Sequence, residues 1–266
     1  MKYVVVTGAY GGMGSAAVKL FVNNGYTVFA LDRVVVQSQS DSVIPICVDL
    51  TSEENIKLAL EKIVAVTDSV DAIVHFAGVY TLDSLLEMSE QKFVTTFNVN
   101  LFGVYRVNKL FLPLLKKGSR IVITTSELAP IYPLPFTGIY AITKTALERY
   151  AYSLRMEAQL LGIKVSVIRP GAVKTGLLKS STDQLDAFVE NTTLYKCNAK
   201  RFKKIVDSVE AKNVSPEKVA KKAFKAVTAK RPKYTYNLNR NPLLLLLNAL
   251  PKRMQTAIIK MILKDK

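Results

Sequence analysis

The turn between the first predicted strand and the first predicted helix constrains the fold more than any other feature. Tyr3–Thr7 is a continuous, mostly β-branched run, typical of a strand buried on both faces, and Gly12–Asn24 has the spacing of a helix. Gly8, Gly12 and Gly14 lie at the junction. Because glycine lacks a Cβ atom, the backbone there can approach a pyrophosphate, to which the helix N-terminus offers free N–H groups. The pattern predicts a dinucleotide-binding unit.

The alternation of strand and helix continues along the chain. Further apolar strands are predicted at Thr27–Leu31, Val43–Val48, Ala72–Phe76, Arg120–Thr125 and Lys164–Ile168. Helical patterns lie among them near 52–66, 90–115 and 139–161. This order predicts an α/β fold, a doubly wound and mostly parallel sheet with helices on both faces and right-handed crossovers.

The pattern weakens after the sixth strand. Residues 176–212 are helical but irregular and form the predicted substrate loop, and Pro242 and Pro251 each open a short apolar helix. We therefore predict one dinucleotide-binding and catalytic domain over residues 1–240. A basic, amphipathic C-terminal helical extension follows over residues 241–266.

Basic residues are concentrated near the C-terminal end. The chain has 37 Lys and Arg against 21 Asp and Glu, a net charge of +16. Residues 196–266 hold 19 of the basic and 4 of the acidic residues, so this segment carries +15 and the preceding part only +1. An anionic partner should therefore meet the tail. Few aromatic residues lie among the tail lysines and no nucleic-acid motif is present, so we expect no nucleic-acid partner.

Cysteine and histidine are scarce. Cys47 and Cys197 are too far apart for a disulfide scaffold and favour a reducing compartment, and the single His75 excludes a multi-histidine metal site. No secretory signal fits the N-terminus, and the apolar run Leu243–Leu247 is far shorter than the ~18 residues that a spanning helix needs. We expect a cytoplasmic protein without a metal.

Acidic residues follow the second and third predicted strands. Asp32 lies 18 residues beyond the last glycine of the turn, where a carboxylate can accept hydrogen bonds from both adenosine ribose hydroxyls and repel a 2′-phosphate. Arg33 can instead pair with such a phosphate, but residues 9–11 contain no basic side chain to assist it. NAD is therefore favoured over NADP. Asp49, which precedes Leu50, either binds the adenine amino group or leads into the next helix.

Tyr140 and Lys144 lie four residues apart in the helix predicted at 139–161, and so on one helical face. An ammonium within a few ångströms favours tyrosinate and lowers a phenol pKa that is normally ~10. A cationic nicotinamide nearby would lower it further. Tyr140 is thus predicted to act as a general acid/base near neutral pH.

The sequence resembles the classical short-chain dehydrogenase/reductase family, whose members have a Rossmann fold. The similarity runs from residue 3 to about 175, and more loosely to 236. It rests on three motifs together, which are TGAYGGMG at Thr7–Gly14, YAITK at Tyr140–Lys144 and RPGAVKT at Arg169–Thr175. The glycine spacing of the family's extended branch, whose members usually have a larger C-terminal domain, is also met at Gly8, Gly11 and Gly14.

The resemblance implies a catalytic role for particular residues. Tyr140 matches the acid/base tyrosine, and Lys144 matches the lysine that lowers its pKa and binds the nicotinamide ribose. Ser126 matches the serine that hydrogen-bonds the substrate oxygen. Thr125 is the alternative, because Ser126 lies one residue farther from Tyr140 than is usual in the family.

The resemblance also implies a proton relay and a cofactor site. Asn100 matches the asparagine that holds a water for proton relay to the lysine, and Asn98 is a weaker match. Thr175 matches the residue that binds the nicotinamide carboxamide. The implied cofactor-binding residues are Gly8, Gly11, Gly12, Met13, Gly14, Asp32, Arg33, Asp49, Leu50, Ala77, Gly78, Tyr140, Lys144, Pro170, Gly171, Val173 and Thr175.

The chain departs from the family after the fourth strand. His75, Phe76, Ala77 and Gly78 follow one another where the family has asparagine before Ala-Gly. Ala77 and Gly78 still allow the backbone to approach the cofactor. The asparagine hydrogen bonds that tie neighbouring strands are missing, and His75 is a candidate to replace one. Glu127 is also unusual, and either touches substrate or is an exposed loop acid.

The resemblance implies that the protein interconverts an alcohol and a ketone or aldehyde by hydride transfer. The predicted substrate loops hold many apolar side chains, namely Leu128, Ile131, Tyr132, Leu134, Phe136, Leu177, Leu178, Phe188 and Tyr195. Such a wall suits a steroid, retinoid or lipid-like substrate, although core packing explains many of the same residues. A non-catalytic dinucleotide-binding regulator and a membrane-surface adaptor are the alternatives on this fold, and the complete catalytic set argues against the regulator. We expect a homodimer or homotetramer.

The last 26 residues combine an apolar stripe with basic residues. The stripe consists of Met254, Ala257, Ile258, Met261 and Ile262, and it is edged by Lys252, Arg253, Lys260 and Lys264. This pattern predicts either a helix that lies on the inner face of a membrane or one that packs on the protein's own core or on a partner subunit.

Overall fold

Seven parallel strands form one sheet in the computed structural model, which describes residues 1–36, 40–210 and 212–264. The strands are β1 (Lys2–Thr7), β2 (Tyr26–Asp32), β3 (Val43–Cys47), β4 (Val70–His75), β5 (Leu115–Thr124), β6 (Lys164–Pro170) and β7 (Thr235–Leu238). Their order is β3-β2-β1-β4-β5-β6-β7, and every neighbouring pair is parallel. The predicted doubly wound parallel sheet is confirmed.

Helices connect the strands and extend the chain beyond the last one. They are α1 (Gly12–Val22), α2 (Glu53–Val64), α3 (Glu90–Phe97), α4 (Gly103–Leu110), α5 (Gly138–Ala158), α6 (Gly176–Asn191), α7 (Lys196–Glu210), α8 (Pro216–Thr228), α9 (Pro242–Ala249) and α10 (Lys252–Leu263). Within the described part of the chain, none of these helices has the length and apolar character needed to cross a membrane.

Both faces of the sheet are covered. On one face, Ile73 of β4 belongs to a buried cluster with Ile56 of α2 and Leu147 of α5. On the other face, the next residue, Val74, belongs to a cluster with Phe21 of α1 and with α8. Successive side chains of a strand point to opposite faces, so a strand that is covered on both faces must be apolar throughout. This explains the uninterrupted apolar runs in the sequence.

The strand order reverses between β1 and β4. The chain builds outward from β1 to β3 on one side and from β4 to β7 on the other. Thr7 pairs with His75 at the carboxyl ends of β1 and β4. In open α/β sheets, ligands bind in the crevice at such a reversal. The glycine turn and the segment after β4 therefore meet where a dinucleotide would bind.

The helix predicted over 90–115 is shorter and interrupted. A π-helical turn, Asn98–Phe102, separates α3 from α4, and Pro113 lies in a 3₁₀ turn after α4. Proline cannot continue a helix, so β5 begins at Leu115, five residues before the predicted Arg120. Single π-helical turns are frequent at functional sites, and this one holds Asn100.

Candidate active site

The glycine turn after β1 packs directly against other backbone segments. Gly8 has a φ of +67°, and a Cβ atom there would lie 2.6 Å from the backbone nitrogen of Ala77. A Cβ atom on Gly14 would lie 2.0 Å from the carbonyl oxygen of Gly8. No side chain caps the N-terminus of α1, so its first N–H groups remain available to an anion. The turn therefore fits a dinucleotide pyrophosphate.

Two carboxylates line the cavity above this turn, which has a volume of about 500 Å³. Asp32 accepts hydrogen bonds from the backbone N–H of Tyr10 at 2.9 Å and of Arg33 at 2.7 Å. Asp49 accepts from the backbone N–H and the hydroxyl of Thr51, both at 2.8 Å, and the backbone bond is the main reason that its pKa lies below its usual value. Asp49 thus stabilises its own turn and also lines the cavity. The side chain of Arg33 lines the same cavity.

Tyr140 and Lys144 lie on one face of α5, beside the carboxyl end of β5. The Lys144 Nζ lies 5.7 Å from the centroid of the Tyr140 ring and donates a hydrogen bond to the carbonyl oxygen of Thr124 at 3.1 Å. Both side chains are buried. The predicted juxtaposition on one helical face is therefore present in the structure.

Burial governs the ionisation of both groups. It raises the pKa of the Tyr140 phenol well above its usual value; Tyr80 adds to this shift, and a hydrogen bond with Ser126 opposes it. Burial also lowers the pKa of Lys144 to about 8. The prediction that Lys144 lowers the phenol pKa is not met in this structure. Loss of hydration around the phenol is the main cause of its shift, and the Lys144 ammonium donates to the Thr124 carbonyl oxygen.

The structure separates Ser126 from its alternative Thr125. The Ser126 side chain hydrogen-bonds Tyr140 and also accepts from the backbone N–H of Leu128 at 3.2 Å. The Thr125 hydroxyl instead donates to the carbonyl oxygen of Ile168 in β6, at 3.3 Å. Ser126 therefore lies where a substrate oxygen can meet both it and the phenol.

Asn100 holds the segment that follows β4. Its Nδ2 donates to the carbonyl oxygen of Val79 at 2.9 Å, and its Oδ1 accepts from the Val79 N–H at 2.8 Å. A Cβ atom on Gly78 would lie 3.2 Å from the Asn100 Oδ1 and 3.5 Å from the Lys144 Nζ. Asn100 and Lys144 therefore flank Gly78. The Asn98 Oδ1, by contrast, accepts a hydrogen bond from Arg106 of α4.

His75 connects β4 to a strand and a helix beside it. Its Nδ1 lies 3.5 Å from the Thr7 Oγ1, and its Nε2 lies 2.9 Å from the Asn108 Oδ1. Burial lowers the pKa of the imidazole to about 4, so the ring is neutral at physiological pH. The histidine thus supplies a hydrogen-bonded connection at the position where the family pattern has asparagine.

A second cavity, of about 560 Å³, opens beside Tyr140 and adjoins the first one. The predicted residues on the first cavity are Gly8, Gly11, Gly12, Met13, Gly14, Asp32, Arg33, Asp49, Leu50, Ala77, Gly78 and Thr175. Those on the second are Ser126, Tyr140, Lys144, Pro170, Gly171 and Val173, together with the shared Met13, Gly78 and Thr175. The arrangement suits a dinucleotide in the first cavity and a substrate in the second.

Only part of the predicted apolar wall faces the second cavity. Leu128, Leu134, Leu177 and Leu178 line it. The prediction was wrong for Phe136, Phe188 and Tyr195, which pack with one another in a separate buried cluster; the Phe136 ring centroid lies 4.7 Å from that of Phe188 and 5.2 Å from that of Tyr195. Large rings bury the most area when they pack together, which favours this cluster over a cavity wall. The Tyr132 ring lies beneath the Lys252 ammonium, its centroid 4.7 Å from the Nζ. Neither Tyr132 nor Ile131 lines the second cavity.

The C-terminal helices complete the apolar wall, which the sequence did not predict. The lining residues from α9, α10 and the link between them are Leu243, Leu244, Leu246, Leu247, Leu250, Ile258, Ile259, Ile262 and Leu263. These side chains lie far along the sequence from Tyr140. Their apolar pattern was visible, but nothing local indicated that they cover the active site.

Glu127 connects the catalytic loop to α9. Its Oε2 accepts a hydrogen bond from the backbone N–H of Asn241 at 2.7 Å, and Asn241 is the N-cap residue of α9. Burial raises the pKa of this carboxyl. A Cβ atom on Gly171 would clash with the backbone carbonyl oxygen of Asn239 and lie 2.8 Å from the Glu127 Oε1, so glycine is needed where these segments meet. Of the two alternatives for Glu127, the exposed loop acid is wrong, and the residue lines the second cavity, where a substrate could reach it.

Two residues of the site carry no motif of their own. Tyr80 packs against Tyr140 with ring centroids 4.6 Å apart. The Thr143 hydroxyl lies 3.1 Å from the Asn100 Nδ2 and donates to the carbonyl oxygen of Tyr140 at 2.8 Å. Thr143 could have been found from its place inside the YAITK motif, whereas Tyr80 gave no signal in the sequence.

The paired cavities and the Ser126, Tyr140 and Lys144 arrangement define a nicotinamide-dependent oxidoreductase. A family model described as short chain dehydrogenase matches residues 2–186. The chain belongs to the short-chain dehydrogenase/reductase family, and it is an NAD(P)-dependent oxidoreductase of CH–OH groups.

Similar proteins come from several bacteria. A 3-ketodihydrosphingosine reductase from Bacteroides thetaiotaomicron is 26% identical over 234 residues, 88% of this chain and 86% of its own. The probable short-chain type dehydrogenase/reductase VdlC from Helicobacter pylori is 28% identical over 264 residues, 97% and 96% of the two chains. Among solved structures, a 3-ketoacyl-(acyl-carrier-protein) reductase from Brucella melitensis complexed with NADH has a TM-score of 0.74 at 19% identity, and covers 90% and 98%. This last likeness shows the shared fold.

Proposed function

We propose that this enzyme uses NAD(H) to interconvert an apolar, lipid-like or steroid-like alcohol and the corresponding ketone. The observation that carries the proposal is the leucine- and isoleucine-rich cavity of about 560 Å³ beside Tyr140. Apolar side chains of this number favour a substrate that buries many CH₂ groups, each worth about 0.8 kcal/mol. The 26% identity with a 3-ketodihydrosphingosine reductase, an enzyme named for a long-chain ketone, agrees with this substrate class.

The catalytic residues act on the oxygen of the substrate. The Ser126 hydroxyl and the Tyr140 phenol hydrogen-bond this oxygen, and Tyr140 accepts its proton during oxidation or donates one during reduction. When bound, the nicotinamide accepts or delivers a hydride at C4. Lys144, whose ammonium lies beside Gly78 and the Tyr140 ring, would bind the nicotinamide ribose. Asn100 keeps Gly78 and Val79 in place and holds the water that relays protons to Lys144.

The adenosine end of the cofactor cavity supports a preference for NAD(H). The carboxylates of Asp32 and Asp49 line that cavity, against the single guanidinium of Arg33. Two carboxylates repel a 2′-phosphate more than one arginine attracts it, whereas they accept hydrogen bonds from ribose hydroxyls.

Exposed side chains on the outer helices support a homo-oligomer. The apolar or aromatic side chains of Phe93, Phe102, Tyr105, Tyr152 and Met156 on α3 to α5 are 36%, 43%, 43%, 51% and 49% exposed. A surface of this kind is typical of subunit interfaces. Both cysteines are exposed, and Cys47 is a free thiol, which supports a location in the reducing cytoplasm.

A substrate panel tests the proposed function. Change in nicotinamide absorbance is followed with NAD(H) and with NADP(H), against steroid, retinoid and long-chain acyl alcohols and ketones, with short-chain alcohols and sugars as controls. We expect kcat/KM to rise by about fourfold for each CH₂ group added to an aliphatic series, until the cavity is filled. Turnover of sugars without turnover of any apolar compound would overturn the proposal.

A further inference from the structure

The C-terminal helices have two different apolar surfaces. The predicted single stripe on α10 is divided, since Ile258 and Ile262 line the substrate cavity whereas Met254 and Met261 do not line it and are 50% and 71% exposed. Ile262 both lines the cavity and is 48% exposed. The apolar surface therefore continues from the cavity, across Ile262, to the outside of α10.

The rim of the cavity is itself apolar and exposed. Leu243 and Leu246 of α9 line the cavity, and they are 71% and 66% exposed. The Asn241 N–H anchors α9 through its hydrogen bond to Glu127, and the Asn198 Nδ2 of α7 anchors α10 by donating to the Leu263 carbonyl oxygen at 2.7 Å. The exposed leucines therefore belong to an anchored element beside the cavity opening.

Basic side chains surround this apolar surface. Lys252, Arg253, Lys260 and Lys264 are exposed, and residues 241–264 contain no Asp or Glu. A basic surface of this kind repels a second copy of itself and attracts a surface that carries negative charge. With 12 residues, α10 extends about 18 Å, less than the ~30 Å of a bilayer core, so it can lie in a membrane interface but cannot cross it.

We propose that α9 and α10 dock on the surface of an anionic lipid bilayer. Leu243, Leu246, Met254 and Met261 enter the interface, and the basic side chains contact lipid phosphates and carboxylates. The docked surface includes the rim of the substrate cavity, so an apolar substrate passes between lipid and active site without crossing water. The docking itself is independent of catalysis, and only this route for the substrate rests on the proposed function.

Vesicle sedimentation tests the docking with the full-length protein. We expect it to pellet with phosphatidylglycerol/phosphatidylcholine vesicles at low salt, less so as salt rises, and not with pure phosphatidylcholine. The double variant Arg253→Gln/Lys260→Gln should lower the partition coefficient by about 25-fold, because each basic residue near an anionic surface contributes about fivefold. The matched control is Lys19→Gln/Lys62→Gln on α1 and α2, which should bind as the wild type does.

Apolar insertion needs its own variants. Met254→Gln/Met261→Gln should reduce vesicle binding, while Leu58→Gln/Val64→Gln on α2, where the side chains are 51% and 55% exposed, should not. The chain has no tryptophan, so Met261→Trp introduces a single fluorescent reporter. Its emission should shift to the blue on anionic vesicles and be quenched by brominated lipid, unlike that of Leu58→Trp.

Three outcomes would overturn the proposal. One is no sedimentation of the wild type with anionic vesicles at low salt. Another is equal loss of binding in the α1 and α2 controls. The third is a dimer that Met254→Gln/Met261→Gln dissociates in analytical ultracentrifugation, because this surface would then bind a second copy of the chain. Turnover is measured separately in vesicle-free solution, so failure of the docking and failure of the proposed oxidoreductase activity are distinguishable.

Discussion

The Nε2 of His75 lies 2.9 Å from the Oδ1 of Asn108, a buried contact that joins the end of β4 to α4. The Asn108 Nδ2 in turn donates to the Tyr150 hydroxyl at 3.1 Å. An amide oxygen can only accept, so His75 carries its proton on Nε2 and its Nδ1 faces the Thr7 hydroxyl as an acceptor. A neutral imidazole satisfies both partners, and burial of the ring disfavours the protonated form.

This arrangement predicts a loss of stability on acidification. Burial lowers the pKa of His75 from 6.5 to about 4, so the folded state disfavours the proton that the unfolded state binds. The contribution of the neutral His75 ring to the free energy of unfolding is present in full above pH 6.5, and it is lost as the pH falls from there through about 4. It amounts to roughly 3 kcal/mol. Urea unfolding at several pH values measures this effect. As the pH falls, the free energy of unfolding should decrease less in His75→Asn than in the wild type. A constant difference between the two proteins at every pH would contradict the prediction.

The acid/base role of Tyr140 can be tested by removing only its hydroxyl. Tyr140→Phe keeps the ring packed against Tyr80 but leaves no group to exchange a proton with the substrate oxygen. We expect kcat to fall by about 10²–10⁴-fold, with the dissociation constant of NADH little changed. Steady-state kinetics and cofactor titration measure the two effects. Tyr152→Phe, at a tyrosine of the same helix that is 51% exposed, is the matched control, and a kcat for Tyr140→Phe near that of the wild type would exclude Tyr140 from the mechanism.

Cofactor preference should depend on Asp32. In Asp32→Ala, both the hydrogen bonds to the ribose and the repulsion of a 2′-phosphate are lost, so NADH should bind more weakly and NADPH more tightly. Fluorescence titration of both proteins with both cofactors gives the four dissociation constants. If the wild type already binds NADPH more tightly than NADH, Arg33 governs the choice and the assignment to Asp32 is wrong.

Glu127 should act on substrate affinity through α9. In Glu127→Ala, the Asn241 N–H loses its acceptor and the first turn of α9 loosens, which disturbs the leucine wall without altering Tyr140. We expect KM for a long-chain substrate to rise several-fold, and kcat to change little. Glu127→Gln, which retains an acceptor oxygen, should restore much of the affinity. Equal losses in kcat for short and long substrates would indicate instead that Glu127 contributes to the chemical step.

The ion pair between Arg169 and Glu148 should contribute to stability. The Arg169 Nη2 lies 2.6 Å from the Glu148 Oε1, and the two side chains are only 19% and 10% exposed. Arg169→Met leaves the carboxylate buried without its partner, at a cost of about 3–5 kcal/mol in the free energy of unfolding. Lys57→Met breaks the pair with Glu53, whose side chains are 57% and 55% exposed, and should have little effect. Chemical denaturation of the two variants compares these pairs directly, and equal losses would contradict the prediction.

Local spacing in the sequence was enough to predict the sheet, the glycine turn and the Tyr140/Lys144 pair. Each depends on residues close together in the chain, because a helical turn or a strand end places them regardless of what packs around them. Local spacing could not predict the interruption of the helix at 90–115. The π-helical turn at Asn98–Phe102 is held by contacts of Asn100 with Val79, which lies 21 residues away.

Only the tertiary structure decided which apolar residues form the active site. Phe136 and Phe188 were as plausible a substrate wall as Leu134, and they joined a separate core because their rings meet one another and Phe202. The stripe on α10 was visible in the sequence, but its division into a cavity face and an exposed face depends on how α10 meets α7 and α9. Burial is also the main cause of the raised pKa of Tyr140. The hydration of a phenol depends on all the groups packed around it, so residue spacing in the sequence could not predict this shift.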